Sequence, residues 1–225
     1  MKRILASILM LGFTGLIFAQ APTKDPKAKV ILDKVSAYYK TVKSFKATFE
    51  FDIHTAQAAM NKKLKGYLIY KGGKFIVDKG DGSTIYTDGE TVWDYYNEDE
   101  ANELTINNYD EQEMSQLSIQ KVVDMYKSGY KYILKGESNV NSVQCNEIDL
   151  EPDLTPEEHA RNQVFKIRLH VNKVTSRLVR WEIFQKSGDR YTITLTSFDS
   201  KYSVEDKDFI FDKSKHPGIL IEDMR

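Results

Sequence analysis

Histidine and cysteine, which often carry catalysis or bind metals, are few and scattered in this sequence. The four histidines are His54, His159, His170 and His216, and none has a second histidine, a cysteine or a carboxylate at a spacing typical of metal ligands. His54 and His170 fall on the polar side of alternating segments, which predicts surface positions. The sequence contains no Gly-x-Ser-x-Gly elbow, P-loop or dinucleotide fingerprint. We therefore expect no catalytic site, no metal and no cofactor, so that the protein is not an enzyme.

Two smaller features also bear on chemistry. The acidic run over 97–103 suggests a calcium loop, but such loops need a turn glycine and this run has none, so we expect a solvated hairpin tip. The single cysteine, Cys145, cannot form an internal disulfide. It lies in the strand-like segment 143–150, which predicts a small buried side chain.

The unusual feature of the composition is its aromatic content of 13 Tyr, 11 Phe and 2 Trp. Several of these residues share one side of an alternating strand with aliphatic neighbours. Binding pockets are lined mainly by such side chains, but an ordinary packed β-sheet core has the same pattern, and the pattern alone leaves both interpretations open. The segments concerned contain Phe45, Phe49 and Phe51; Val179, Trp181 and Ile183; and Tyr191, Ile193 and Leu195.

Hydrophobic periodicity predicts the elements that position these side chains. Asp25 and Pro26 suit a helix start, and apolar residues at helical spacing continue to Val42. A second short helix is predicted over 117–126, and a solvated loop over 151–162. Strands are predicted at 45–54, 64–70, 74–78, 83–87, 91–96, 103–106, 130–135, 143–150, 164–171, 177–185 and 190–198. This set predicts an α+β fold dominated by a curved antiparallel β-sheet, which would enclose an apolar cavity if its helices lie over it as a lid.

The N-terminus is typical of a cleaved secretory signal peptide. Lys2 and Arg3 precede an uncharged apolar run over 4–18, and small residues follow. The run is shorter than the ~20 residues that a membrane-spanning helix needs, and no cysteine lies nearby to receive a lipid. We therefore expect residues 1–20 to be removed, residues 21–225 to form a single domain, and the mature protein to reside in the periplasm without a lipid anchor.

The charge balance argues against a nucleic-acid partner. The chain has 32 Lys and Arg against 33 Asp and Glu, and removal of Lys2 and Arg3 leaves 30 against 33. Proteins that bind nucleic acids usually carry a basic excess. We expect no such partner, and contact with lipid only through a pocket or a surface.

Several motifs occur in an order that resembles a known family. An amphipathic helix leads into 44–49 (SFKATF), followed by 66–71 (GYLIYK), Lys74-Phe75, 87–96 (TDGETVWDYY), Phe209-Ile210-Phe211 and Pro217-Gly218. This order resembles the LolA family of outer-membrane lipoprotein carriers over essentially the whole mature chain. The resemblance implies an unclosed β-barrel with helices as a lid over an apolar cavity.

The resemblance also implies a function and a site. Such carriers accept acylated lipoproteins from an inner-membrane ABC transporter of the Lol type and pass them to an outer-membrane acceptor, which is unknown for this chain, without changing a chemical bond. We expect a monomer. The residues predicted to line the cavity are Phe45, Phe49, Phe51, Leu68, Phe75, Trp93, Tyr95, Phe165, Ile167, Trp181, Ile183, Ile193 and Leu195. The predicted lid-helix residues are Ile31, Val35, Tyr38, Val122 and Val123.

One position departs from the family pattern. Many members carry an Arg-Pro pair after the Gly-x-Leu strand, and that arginine helps to hold the lid closed. Here Gly72 and Gly73 occupy this place, preceded by Lys71. Lysine lacks the planar fork of arginine, so Lys71 is only a weak substitute and the family's gating is not expected to transfer.

Three alternatives share parts of this pattern. A periplasmic lipid or lipoprotein sensor related to the RseB family has the same fold, and usually a further C-terminal domain. A lipid-anchored acceptor of the LolB type begins with a lipidated cysteine, which we do not find near residue 20. A general apolar-ligand-binding protein needs only the cavity.

Overall fold

The computed structural model describes residues 24–57, 60–98, 101–110 and 119–225. The predicted signal peptide over 1–20 lies outside these residues. Twelve strands form one sheet. They are β1 (Ser44–Thr55), β2 (Met60–Lys71), β3 (Lys74–Asp78), β4 (Ser83–Thr87), β5 (Thr91–Tyr96), β6 (Glu103–Asn108), β7 (Tyr130–Val140), β8 (Val143–Pro152), β9 (Val164–Asn172), β10 (Leu178–Gln185), β11 (Arg190–Asp199) and β12 (Leu220–Asp223).

The sheet is long and unclosed. Its strand order is β12-β6-β5-β4-β3-β2-β1-β11-β10-β9-β8-β7, so that β12 and β7 are its two ends. Neighbouring strands are antiparallel except β12, which pairs with β6 in parallel. All eleven predicted strands are present, and β12 is an addition that the sequence analysis missed. The predicted unclosed antiparallel sheet is confirmed.

Two helices, α1 (Pro26–Thr41) and α2 (Ile119–Asp124), come from opposite halves of the chain. The Asp25 carboxylate accepts a hydrogen bond of 2.8 Å from the backbone N–H of Lys27, which caps the start of α1 as predicted. A 3₁₀ turn over Met125–Lys127 follows α2 directly. The start of the second predicted helix, residues 117–118, lies outside the described residues.

A third helix, α3 (Pro156–Arg161), lies within the segment that we predicted as a loop. Thr155 and Glu158 form a reciprocal capping box that starts this helix. None of its side chains is buried, so it lacks the apolar periodicity by which a helix is recognised in a sequence. Within the described ranges, no helix combines the length and the apolar character needed to cross a membrane.

The prediction for Cys145 is confirmed. It is a free, buried cysteine, and burial raises the pKa of its thiol. The acidic run over 97–103 lies between β5 and the start of β6, which pair as an antiparallel hairpin, but the predicted solvated tip includes residues 99 and 100, which lie outside the described residues.

The inner face of the sheet is defined here as the side that packs against α1 and α2. The buried side of α1, with Leu32, Val35 and Tyr39 at its centre, joins one apolar core with the inner-face side chains of the strands. Phe45 lies within this core, stacked on Tyr70 at 5.3 Å and on Phe198 at 4.9 Å between ring centroids. Tyr39 of α1 joins this group, with its ring centroid 5.7 Å from that of Phe198, so that aromatic packing holds the N-terminal helix on the sheet.

The opposite, outer face is covered at one end by the C-terminal segment, residues 202–219. Phe209, which is fully buried, packs against Ile69 and Ile76. Phe211 packs against Trp93 and Tyr95 in a second cluster. Strands β2 to β5 therefore carry apolar side chains on both faces, with helices and core on one side and the C-terminal segment on the other.

Elsewhere the outer face carries a network of charged side chains. Arg168 donates to both carboxylate oxygens of Asp149, at 2.7 and 2.9 Å. His170 is buried, contrary to the surface position that we predicted, because its ring nitrogens lie 2.8 Å from Ser138 Oγ and 3.2 Å from Glu182 Oε2. The hydrogen bond to His170 lowers the pKa of the Glu182 carboxyl. The alternation of polar and apolar residues thus predicted correctly that His170 lies on the outer face, but wrongly that its side chain is exposed.

The C-terminal segment offers a test of the packing on the outer face. We expect Phe209→Ala to lower the free energy of unfolding by ~3–5 kcal/mol, the usual cost of emptying a buried phenylalanine site. The neighbouring Ile210 is 48% exposed, and Ile210→Ala should cost under about 1 kcal/mol. Urea unfolding followed by circular dichroism measures both, and equal losses for the two variants would contradict this description.

Candidate functional site

A cavity of about 340 Å³ opens on the inner face where α2 meets the central strands. This volume falls at the lower end of the ~300–1,000 Å³ typical of small-molecule sites. Side chains from β1, β2, β3, β10 and β11 form its wall, and α2 and the turn after β3 contribute one residue each. The lining residues are Phe49, Phe51, Leu68, Val77, Lys79, Ile119, Trp181, Ile183, Tyr191, Ile193 and Leu195.

Strand pairing explains why these side chains meet. Successive side chains of a strand alternate between faces, and directly paired residues share a face. Ile193 on β11 pairs with both Phe51 on β1 and Trp181 on β10, so three adjacent strands present apolar side chains side by side. Leu68 and Val77 are likewise paired across β2 and β3.

Gly66 sets the position of the Phe49 ring. The two residues are paired across β1 and β2. A Cβ atom at position 66 would lie 2.7 Å from Cζ of Phe49 and 2.1 Å from the carbonyl oxygen of Asp78. The ring therefore lies directly over the glycine backbone, and a larger residue at position 66 would displace it from the cavity wall.

Seven of the predicted cavity residues line this cavity: Phe49, Phe51, Leu68, Trp181, Ile183, Ile193 and Leu195. Phe45, Phe75 and Ile167 share the same apolar core but are buried within it, with at most 4% of each residue exposed. These three support the wall without forming its surface.

Trp93, Tyr95 and Phe165 require a correction, because the structure places them away from the cavity. Trp93 and Tyr95 point to the outer face, where they pack against the C-terminal segment. Phe165 is 40% exposed and lies near Phe184, with ring centroids 6.3 Å apart. The register of β9 and β10 shifts next to it, so that Val164 rather than Phe165 packs against the core.

Four lining residues were missing from the predicted set: Val77, Lys79, Ile119 and Tyr191. Tyr191 lies on the same side of its strand as Ile193, and Val77 and Lys79 continue the alternation that begins at Phe75. The alternation of side chains along each strand could therefore have predicted these three residues. Ile119 belongs to a helix whose docking on the sheet only the structure shows.

The predicted lid-helix residues all lie between the helices and the sheet. Val35, Val122 and Val123 are buried in the core, and Ile31 and Tyr38 pack against it. Ile119 of α2 also lines the cavity. The two helices thus cover the inner face, and α2 is the one that closes part of the cavity.

Hydrogen bonds join α1 to the turn that follows α2. The Tyr126 hydroxyl donates to Asp33 at 2.6 Å, and Lys127 Nζ donates to Ser36 Oγ at 2.6 Å. Hydrogen bonds from Lys29 and Tyr126 lower the pKa of the Asp33 carboxyl, while burial and the Asp33 contact raise the pKa of the Tyr126 hydroxyl. These bonds tie the two lid helices to each other.

Lys71 does not take part in this closure. Its side chain points to the outer face, where Nζ lies 2.8 Å from Asp206 Oδ1 and donates to the Val204 carbonyl at 2.9 Å. Gly72 and Gly73 form the following turn with φ of 57° and 93°. Lys71 therefore holds the C-terminal segment, and the contacts of Tyr126 and Lys127 hold the lid helices.

Comparisons with known proteins agree with this architecture. The family model of the outer membrane lipoprotein carrier protein LolA matches residues 40–212. Among curated protein sequences, none matches this chain. The chain is similar to the structure of an uncharacterized conserved protein from Thermus thermophilus, with 12% identity, a TM-score of 0.54 and coverage of 87% of this chain and 99% of that one. It is also similar to the lipoprotein LppX from Mycobacterium tuberculosis, with 12% identity, a TM-score of 0.52 and coverage of 81% and 100%. At this identity the structural similarity shows the fold alone.

The link between the lid helices gives a second prediction. We expect Tyr126→Phe to lower stability by ~1.5–3 kcal/mol, the usual net value of a hydrogen bond to a charged group, and to speed the entry of an apolar fluorescent probe into the cavity. Stopped-flow fluorescence measures the entry rate. Tyr130→Phe is the matched control, because the Tyr130 hydroxyl has no hydrogen bond among the described residues. Identical entry rates for the two variants would show that this link does not restrain the lid.

Proposed function

Because the chain belongs to the LolA family of outer membrane lipoprotein carrier proteins, we propose that it binds the acyl chains of lipoproteins released from the inner membrane and carries them across the periplasm to the outer membrane. In this proposal residues 21–225 form the lipoprotein-carrier domain, released from the signal peptide at residues 1–20. The donor is an inner-membrane ABC transporter of the Lol type. The protein works as a monomer, and its cargo leaves chemically unchanged.

The apolar cavity is the observation that carries this proposal. Nine of its eleven lining residues have purely hydrocarbon or indole side chains, and the other two are Lys79 and Tyr191. Each methylene group moved from water into such a site contributes about 0.8 kcal/mol. An acyl chain is therefore retained in the cavity against transfer into water, and the wall needs no specific polar contact to hold it.

The size of the cavity limits what it holds in this conformation. A cavity of ~150 Å³ accepts a benzene ring, so 340 Å³ accommodates on the order of a dozen carbon atoms, which corresponds to one acyl chain. A lipoprotein with several chains requires that α2 move outward from the sheet. The hydrogen bonds of Tyr126 and Lys127 to α1 are the contacts that such a movement breaks.

The same volume favours one alternative, a general binding protein for single-chain apolar ligands. Such a protein uses the cavity as it is, whereas a lipoprotein carrier opens it. For a lipoprotein carrier, acylated protein should displace a bound probe more effectively than free lipid does. For a general apolar-ligand-binding protein, free lipid should be the more effective competitor. A periplasmic sensor would bind the same ligands and transmit the occupancy to a partner.

Two adjacent positions on β1 test whether the inner face holds the cargo. Phe49 lines the cavity, whereas Glu50 lies on the outer face, 3.5 Å from Lys65 Nζ. Phe49→Glu buries a carboxylate beside hydrocarbon, at a cost of several kcal/mol unless it is protonated. We expect this variant to lose lipoprotein uptake at least tenfold and Glu50→Phe to retain it.

Transfer of lipoprotein from inner-membrane vesicles measures this difference, and circular dichroism verifies that each variant is folded. The proposal fails if folded Phe49→Glu protein takes up lipoprotein as the unmodified protein does. Equal losses in both variants would instead indicate a general disturbance of β1.

A further inference from the structure

The cavity wall contains one cationic side chain, Lys79, which follows β3 directly. It continues the inner-face alternation of Phe75 and Val77, and its backbone N–H donates to the Ser83 carbonyl at 3.0 Å, which fixes the start of the turn to β4. The Lys79 side chain is 34% exposed. Its stem therefore lies along the apolar wall, while its ammonium group reaches the solvent at the mouth of the cavity.

The ammonium group of Lys79 is only loosely paired. Asp94 Oδ1 lies 3.9 Å from its Nζ, which is an ion-pair distance but too long for a hydrogen bond. Across the described ranges of the chain this is the contact that the ammonium group makes, and a lysine has three donors to offer. The pKa of the Asp94 carboxyl lies above its usual value. Burial is the main cause and the Asp81 carboxylate adds to it, while the nearby Lys79 offsets only part of the rise.

We propose that Lys79 recognises an anionic group at the head of the bound acyl chain, so that the cavity selects amphiphiles with a carboxylate or a phosphate over neutral ones. The inference rests on the second candidate of the proposed function, a binding protein for single-chain apolar ligands, because the acyl chains of a lipoprotein are linked through esters and an amide and carry no anionic head group. With the chain in the apolar cavity, the head group comes to the mouth, where the ammonium group replaces its loose contact with Asp94 by a charge-assisted hydrogen bond. A lysine is a compact point charge and accepts either anion.

Four ten-carbon probes test this selection: sodium decanoate, decyl phosphate, decanol and decylamine. Their affinities are measured by calorimetry at low ionic strength and pH 8 on the mature protein, Lys79→Gln and Lys65→Gln. Lys65 is the matched control, because it removes the same charge from the outer face, where its Nζ lies 3.5 Å from Glu50.

For the unmodified protein we expect decanoate or decyl phosphate to bind roughly two- to fivefold more tightly than decanol, the range of a part-exposed charge pair, and decylamine to bind more weakly. Lys79→Gln should lose this preference, and Lys65→Gln should keep it. A preference for decanoate alone indicates a free fatty acid, and a preference for decyl phosphate alone a lipid phosphate.

Two results would overturn the inference, in different ways. If decanol binds as tightly as the anions, or if Lys79→Gln keeps the preference, Lys79 does not select the head group although the cavity still binds acyl chains. If no probe binds, decanol included, the proposed acyl-chain binding fails together with the inference.

Discussion

Within the described residues, the structure depends on a mismatch between the extent of one apolar sheet face and the length of the helices that cover it. Twelve strands spaced ~4.8 Å apart extend over roughly 50 Å, whereas α1 with 16 residues is about 24 Å long and α2 with 6 residues about 9 Å. The helices bury the part of the inner face around Phe45. The remaining aromatic and aliphatic side chains border the cavity, whose filling by an acyl chain would complete the core.

The outer face of the sheet is also shielded or has its charges paired, but without the helices. At the β2–β6 end the C-terminal segment places Phe209 and Phe211 on the sheet, and toward β8–β10 charged side chains such as Arg168 and Asp149 satisfy one another. The apolar cavity that we propose as the ligand site lies on the inner face. Lys71 and Lys79 illustrate the division, because both flank β3 yet one holds the C-terminal segment and the other lies at the cavity mouth.

Strand periodicity predicted most of this arrangement, because it reports directly which residues share a face. It succeeded on β1, β10 and β11, where one side is apolar and the other polar. It failed at Trp93 and Tyr95, since β5 carries apolar residues on both sides, Val92 on the inner one, and the sequence does not show which side the C-terminal segment covers. Phe165 was misplaced by a register shift, and the contact of Tyr126 with Asp33 joins residues too far apart in the sequence to be predicted from local pattern.

The central claim is that the cavity of the native protein holds acyl chains. Native mass spectrometry of the protein purified from the periplasm, without detergent, tests it most directly. We predict a population heavier than the polypeptide, from which collisional activation releases an acylated lipoprotein or a lipid. A folded protein that appears only at the mass of its polypeptide, even after incubation with acylated lipoprotein, would contradict the account.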